Sequence, residues 1–334
     1  QIHDTQGFHE WYERLGLWSE ALESYQKMDQ TPKTFEKMIR CLKHLQRWDE
    51  IIEKMPQFIE LKSTDKKKVA LAFATALFHR QQWPMLANVL EYCTKESVRS
   101  NIITALYQIS QDHRDEALQT VSNGFTILAQ NARGVFKHDK AALYPLMVKA
   151  QQLHEISEIA QHKENLEVWE RRLKVCRQSF DVYHQIISVH LTVFPVDFMM
   201  KESLKMVKLA LRSKDFQLFN SSLHFLFPQR QYWPVEVAFL HAKGFWASGQ
   251  QTEALGEAKN ILKVYKEIEK NIKAQIYYIC GQWIISMTPP NLYNNVIKNA
   301  VKFLEQSIRQ GTHYFKAWHR WAWACSIIYN NDKS

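Results

Sequence analysis

Four basic residues are spaced to act together. Lys201, Lys205, Lys208 and Arg212 advance by four, three and four positions, which on an α-helix puts them on one face. Such a stripe reads either as a phosphate- or acid-binding face, through charge-assisted hydrogen bonds, or as a solvated face. A second cluster, Lys66-Lys67-Lys68, stands before an apolar helix expected to start at Val69 and reads as a solvated turn. Neither cluster has the interleaved aromatics that stack nucleobases, so nucleic acid is not an expected partner. The 14 histidines are dispersed, and His184 and His190 are not at ligand spacing on one helical face. The five cysteines (Cys41, Cys93, Cys176, Cys280 and Cys325) form no C-x-x-C pair. They indicate neither a zinc ribbon nor a disulfide framework, and the expected compartment is reducing. No H-E-x-x-H, G-x-S-x-G, H-R-D, D-F-G, G-x-G-x-x-G or P-loop motif occurs. No catalytic residue and no metal site is therefore expected in this segment.

The elements that must carry these residues are helices. Only nine Gly and nine Pro occur in 334 residues, where ordinary usage would give roughly 40 of the two together. Few turn formers argue against a β-sandwich or barrel. The hydrophobic share of 46% excludes a disordered chain. A net charge of +9 gives a mild positive field that attracts acidic surfaces or phosphates without naming one. The most apolar stretch, Ile276 to Met287, is short and interrupted by Gln282 and Ser286, so no transmembrane segment is expected. Residue 1 is Gln, as expected of a fragment or a mature piece.

A phrase repeats along the chain. Leu15-Gly16-Leu17-Trp18, followed by Ala21-Leu22 and Tyr25, has a turn glycine, a groove-filling aromatic and a small residue where two helices cross. Weaker copies centre on Trp48, Trp83, Arg114, Phe216, Gln251 and Trp283, with steps in the low thirties except between Arg114 and Phe216. That period fits a tetratricopeptide-like helix-turn-helix repeat. Leu153 to Ile159 reads as a degenerate copy, and Trp169 to Val193 as one long helix with apolar residues at steps of three and four. Loops are expected at Asn131 to Gly134, Phe194 to Asp197, Pro228 to Pro234 and Thr288 to Asn291. The tryptophans at the repeat position read as groove fillers rather than as a ligand cage. The expected fold is all-α, an α-α superhelix of tetratricopeptide-like repeats, forming one solenoid over 1–334.

Three segments carry a family resemblance. His313-Tyr314-Phe315-Lys316-Ala317-Trp318-His319-Arg320-Trp321-Ala322 closely resembles the K-A-W-H-x-W-A segment near the end of the FAT region of target-of-rapamycin kinases. These belong to the phosphatidylinositol-kinase-related protein kinases. Trp11-Tyr12-Glu13-Arg14-Leu15, with Trp18, Ala21-Leu22 and Tyr25, resembles the start of that region. Trp169-Glu170-Arg171-Arg172-Leu173 with Cys176-Arg177 is similar to its W-E-R-L…C-Q segment. The resemblance implies a regulatory and scaffolding solenoid that clamps a kinase domain lying C-terminal to it, where ATP and Mg would bind. It implies a serine/threonine kinase in nutrient-responsive growth signalling, with β-propeller and scaffold subunits as partners. It implies a cytoplasmic location, with endomembrane surfaces reached through those partners.

The family's FAT regions also bind an inositol polyphosphate in a basic pocket. By resemblance Lys316 would contribute, with Lys201, Lys205, Lys208 and Arg212 as further anion-binding candidates. Gln275 and Ile279 stand where paired basic residues are expected, and His190 at a further basic position. The other reading of the repeats is a free-standing tetratricopeptide-like adaptor that holds a peptide or protein in its groove.

Overall fold

The structure of the chain, a computed structural model, describes residues 8–135, 142–288, 293–311 and 315–331. The described residues form α-helices and one 3-10 turn, with no strand. The all-α, α-α superhelix class read from the repeats is the one observed. By internal contacts the chain divides into two compact units, 1–209 and 210–334.

The first unit opens with α1 (Phe8–Leu15), α2 (Trp18–Gln26), α3 (Pro32–His44), α4 (Trp48–Glu53), α5 (Met55–Glu60) and α6 (Ser63–His79). It continues with α7 (Trp83–Leu90), α8 (Val98–Ser110), α9 (Arg114–Val135), α10 (Leu143–Ala160), α11 (Leu166–Val175) and α12 (Phe180–His190). The division between the units falls inside α13 (Met200–Arg212). From α1 to α10 consecutive helices pack on each other, and α6 also meets α3, α4 and α8, while α10 meets α8 and α12. One apolar core runs from Ala21 to Val189, with Phe73, Leu77 and Trp169 fully buried. The second unit holds α14 (Phe216–Leu226), α15 (Val235–Ala247), α16 (Gln251–Val264), α17 (Lys270–Met287), α18 (Tyr293–Arg309) and α19 (Phe315–Asn331). Its later helices close on Ile284, Ile297, Leu304 and Ala324.

The repeated phrase has a backbone cause. Gly16, Gln46, Gln81, Asp112, His162 and Gly249 all adopt positive φ, between 53° and 89°. After each, the next residue's N–H reaches back to a carbonyl five positions earlier, as Leu17 does to Tyr12 at 2.9 Å and Lys163 to Glu158 at 2.8 Å. This is the Schellman end of a helix, and it supplies partners to carbonyls the helix leaves open. The next helix follows within a few residues. At the copies with a small residue, Ala21, Ala117 and Ala254 are fully buried where helices cross.

Several local expectations are corrected. Trp169 to Val193 is two helices, because Cys176 is extended (φ −70°, ψ 155°) and Ser179 precedes α12 in extended backbone. The apolar period survives the break because both helices bury the same side, Trp169 and Leu173 before it and Phe180 and Tyr183 after it. The Leu153 to Ile159 copy lies inside α10, and the turn comes at His162. Asn131 to Gly134 continue α9, and Lys66 to Lys68 lie within α6 rather than before it. The turn expected before Trp283 is absent, since Gly281 is buried in mid-α17. A Cβ there would sit 2.9 Å from Leu304 Cγ, so the glycine serves a close helix crossing. Trp283 stacks on Trp246 with centroids 4.7 Å apart. The expected turns at Phe194 to Asp197 and Pro228 to Pro234 are present. His313, Tyr314 and Pro289 to Asn291 lie outside the described residues.

Candidate functional site

The basic stripe exists as a helical face. Lys201, Lys208 and Arg212 are exposed or half-exposed on α13, while Ser203, Met206, Val207 and Ala210 are buried on its other side. Lys205 is half-buried and lays its ammonium 4.9 Å from the Tyr183 ring centroid, a cation–π contact. Lys316 is exposed in the first turn of α19, next to the buried Ala317. Arg212 and Lys316 belong to the second unit, Lys201, Lys205 and Lys208 to the first. The other positions aligned with the family's pocket do not add charge: Gln275 and Ile279 are neutral, and His190 is committed elsewhere.

His190 is 1% exposed, with Nε2 2.9 Å from Oε2 of the fully buried Glu155. Its ring stacks on Trp169 with centroids 4.6 Å apart. Trp169 Nε1 in turn donates to Glu158 Oε2 at 2.7 Å, and Arg172 donates to both oxygens of Glu158 at 2.7 and 2.8 Å. The Arg172 hydrogen bonds hold the Glu158 carboxyl below the usual carboxylate range. The W-E-R segment thus ties α10, α11 and α12 together, and its chemistry is structural.

A second basic cluster appears only in the folded chain. A cavity of about 590 Å³ in the first unit has Lys43, Arg99, Lys149 and Arg177 in its wall, with Asp181 as its carboxylate. Lys43 comes from the last turn of α3, Arg99 from the first turn of α8, Lys149 from α10 and Arg177 from the α11–α12 connection. Burial, then the charges of Arg99 and Lys149, push the Lys43 ammonium below its ordinary range. Burial and Arg99 do the same to Lys149. Burial brings the Arg99 guanidinium down to about 10. Gln46 Nε2 donates to Asp181, which holds that carboxylate against the wall.

His79 and His184 form the floor. Arg99 Nη2 lies 2.8 Å from His79 Nε2, and His79 Nδ1 lies 2.9 Å from Ser188 Oγ. Ser188 Oγ in turn donates to the His184 carbonyl at 2.6 Å. The guanidinium can only donate, so Nε2 accepts and the Nδ1 proton goes to Ser188. His79 is therefore the neutral tautomer, in keeping with burial that pushes it well below its ordinary value. His184 stacks on His79 at 4.0 Å, and burial brings it to about 3. Arg99 Nη1 is shut off from solvent and has no hydrogen-bond partner.

Sequence reasoning reached none of these cavity residues as a site. They come from five segments, each an isolated basic or polar residue with no spacing signal. Among the described residues no group of three metal-ligating side chains occurs, and no helix is long and apolar enough to cross a membrane.

The model of the FAT domain family matches residues 71–334. The chain is similar to the serine/threonine-protein kinase tor1 of Schizosaccharomyces pombe, with 22% identity over 367 residues, covering 94% of this chain and 16% of that protein. It is similar to the serine/threonine-protein kinase mTor of Drosophila melanogaster, 22% identical over 357 residues, 97% of this chain and 14% of that protein. It is likewise similar to the serine/threonine-protein kinase TOR2 of Saccharomyces cerevisiae, 22% identical over 363 residues, 94% of this chain and 15% of that protein. The chain thus spans about one-sixth or less of the length of these curated relatives.

Proposed function

Because this chain belongs to the FAT domain family, we propose that it is the regulatory and scaffolding segment of a serine/threonine kinase of the target-of-rapamycin type. Its relatives are named as such kinases across almost the whole of this chain. In this reading the stacked helices restrain a kinase domain elsewhere in the protein and limit access to its ATP- and Mg-binding cleft. The same array supports assembly with β-propeller and scaffold subunits in a cytoplasmic, growth-controlling complex, which meets endomembranes through those partners. The cations of α13, Lys201, Lys205, Lys208 and Arg212, would hold an inositol polyphosphate, and Lys316 on α19 is a separate anion-binding candidate.

The observation that carries the reading is the surface of α19. Its Ala317 and Ala324 are fully buried, yet Phe315 and Trp318 are 78% and 51% exposed. Large apolar side chains left outside an otherwise packed array suit a docking surface for another domain. The test is Phe315→Ala with Trp318→Ala in the intact kinase. Altered kinase activity with an unchanged melting temperature supports the restraint. Unchanged activity and unchanged complex composition argue against it. The peptide-adaptor reading gains nothing from the fold beyond the repeats themselves.

A further inference from the structure

We propose that the groove between α16 and α18 is a docking site for an acidic amphipathic helix of a partner protein. Both helices pack on α17. The space left between them is a cavity of about 530 Å³. Its apolar wall is Leu255 from α16, Ile284 and Met287 from α17, and Val296 and Phe303 from α18. The lining residues follow helical steps, Ile284 to Met287 on α17 and Val296, Asn299 and Phe303 on α18. Such stripes side by side make a linear groove. A linear apolar groove takes the ridge of a helix with anchors at i, i+3 or i+4, and i+7.

The charge at the rim selects the partner. The ionisable side chains lining the groove are Lys259 and Lys302, with no carboxylate among the described lining residues. Lys259 holds its ammonium 5.6 Å from the Phe303 ring centroid, against the apolar wall. Lys302 is exposed, as are Lys263, one turn after Lys259, and Lys298, one turn before Lys302. Glu257, two positions before Lys259, is held by Arg230 at 2.7 Å. The groove thus pairs an apolar wall with a lysine rim, and its complement is a helix with apolar anchors flanked by carboxylates.

The depth of the apolar groups favours a protein over a membrane. Leu255, Met287, Val296 and Phe303 are half-buried, and Ile284 is 8% exposed. A bilayer takes up apolar side chains that protrude from a surface. Recessed ones need a partner whose own side chains reach in. None of the groove residues belongs to the α19 surface of Phe315 and Trp318, so the proposal stands apart from the restraint of the kinase domain.

The test is fluorescence anisotropy on the intact protein with a labelled helical peptide. The probe carries Leu and Phe on one face and Glu on its flanks, and a twin carries Lys in place of every Glu. The acidic probe should bind about tenfold or more tightly than the twin, and Lys302→Glu should abolish or reverse that preference. Asn299 is an exposed position on the groove wall. Asn299→Trp should therefore block binding with an unchanged melting temperature. Phe315→Ala with Trp318→Ala should leave binding intact. The proposal is overturned if neither probe binds, if the two bind alike, or if the Asn299 and Lys302 variants bind the acidic probe as the native protein does. It is equally overturned if the α19 variants remove binding, or if phosphatidylserine vesicles are bound through Lys302 and the acidic probe is not.

Discussion

The indole Nε1 of Trp169 donates to Glu158 Oε2 at 2.7 Å, joining the start of α11 to the end of α10 across the His162 turn. The same carboxylate takes both Arg172 contacts, so one acidic residue holds two side chains of the next helix. Trp169 is also fully buried. Trp169→Phe should cost about 1–3 kcal/mol, the usual loss when a buried acceptor keeps fewer donors. Trp169→Ala should cost about 3–5 kcal/mol through the cavity it leaves. Denaturant titration of the two variants measures the difference.

The turn backbone gives a second outcome. His162 is exposed and holds φ at 54°, a conformation that costs a non-glycine residue about 1–2 kcal/mol. His162→Gly should therefore raise stability by about 1 kcal/mol. Gly16 has φ 73°, and a methyl group added there would meet nothing within 4 Å, so Gly16→Ala should lower stability through backbone strain alone. Thermal melts of the pair check the opposite signs.

Helix glycines divide in the same way. Gly256 is exposed within α16 with open space where a Cβ would stand, and Gly256→Ala should stabilise by about 1 kcal/mol from helix propensity. At Gly281 the added methyl meets Leu304 Cγ at 2.9 Å and the Ala300 carbonyl at 3.1 Å. There the crowding should exceed the propensity gain, with a net loss of about 1–3 kcal/mol. Melting temperatures that rise for both variants would contradict the crossing geometry.

The buried histidines set a pH response. Burial depresses His79 well below its ordinary value and His184 to about 3, with Arg80 and Arg99 adding to both. In the unfolded chain each takes a proton near pH ~6.5. The unfolded state then binds more protons than the folded one between about pH 6.5 and the depressed folded-state values. The stability they contribute is complete above about pH 6.5 and is lost as pH falls. Each histidine steepens the slope by up to about 1.4 kcal/mol per pH unit. Unfolding free energies from about pH 7 to 5, compared with those of His184→Gln, should show a flatter dependence in the variant.

Helix content, the repeat and the family were legible in the sequence because each rests on local facts. A turn residue at positive φ and an aromatic two positions on recur at Gly16, Gln46 and Gln81, and helical spacing alone put Lys201, Lys205, Lys208 and Arg212 on one face. The break between α11 and α12 was not legible. Trp169, Leu173, Phe180 and Tyr183 keep a helical period on both sides of it, and only the non-helical backbone from Cys176 to Ser179 interrupts the hydrogen bonds.

What the sequence by itself determined is an all-α chain of stacked repeats with the marks of the FAT family and one basic helical face. The tertiary structure alone decided that His190 is consumed by Glu155, that Gly281 serves a helix crossing, and that Lys43, Arg99, Lys149 and Arg177 share one cavity. The reason is physical. Periodicity and turn chemistry act over a few residues, whereas the field inside a cavity depends on which helix ends the stacking brings together, and those lie dozens of residues apart along the chain.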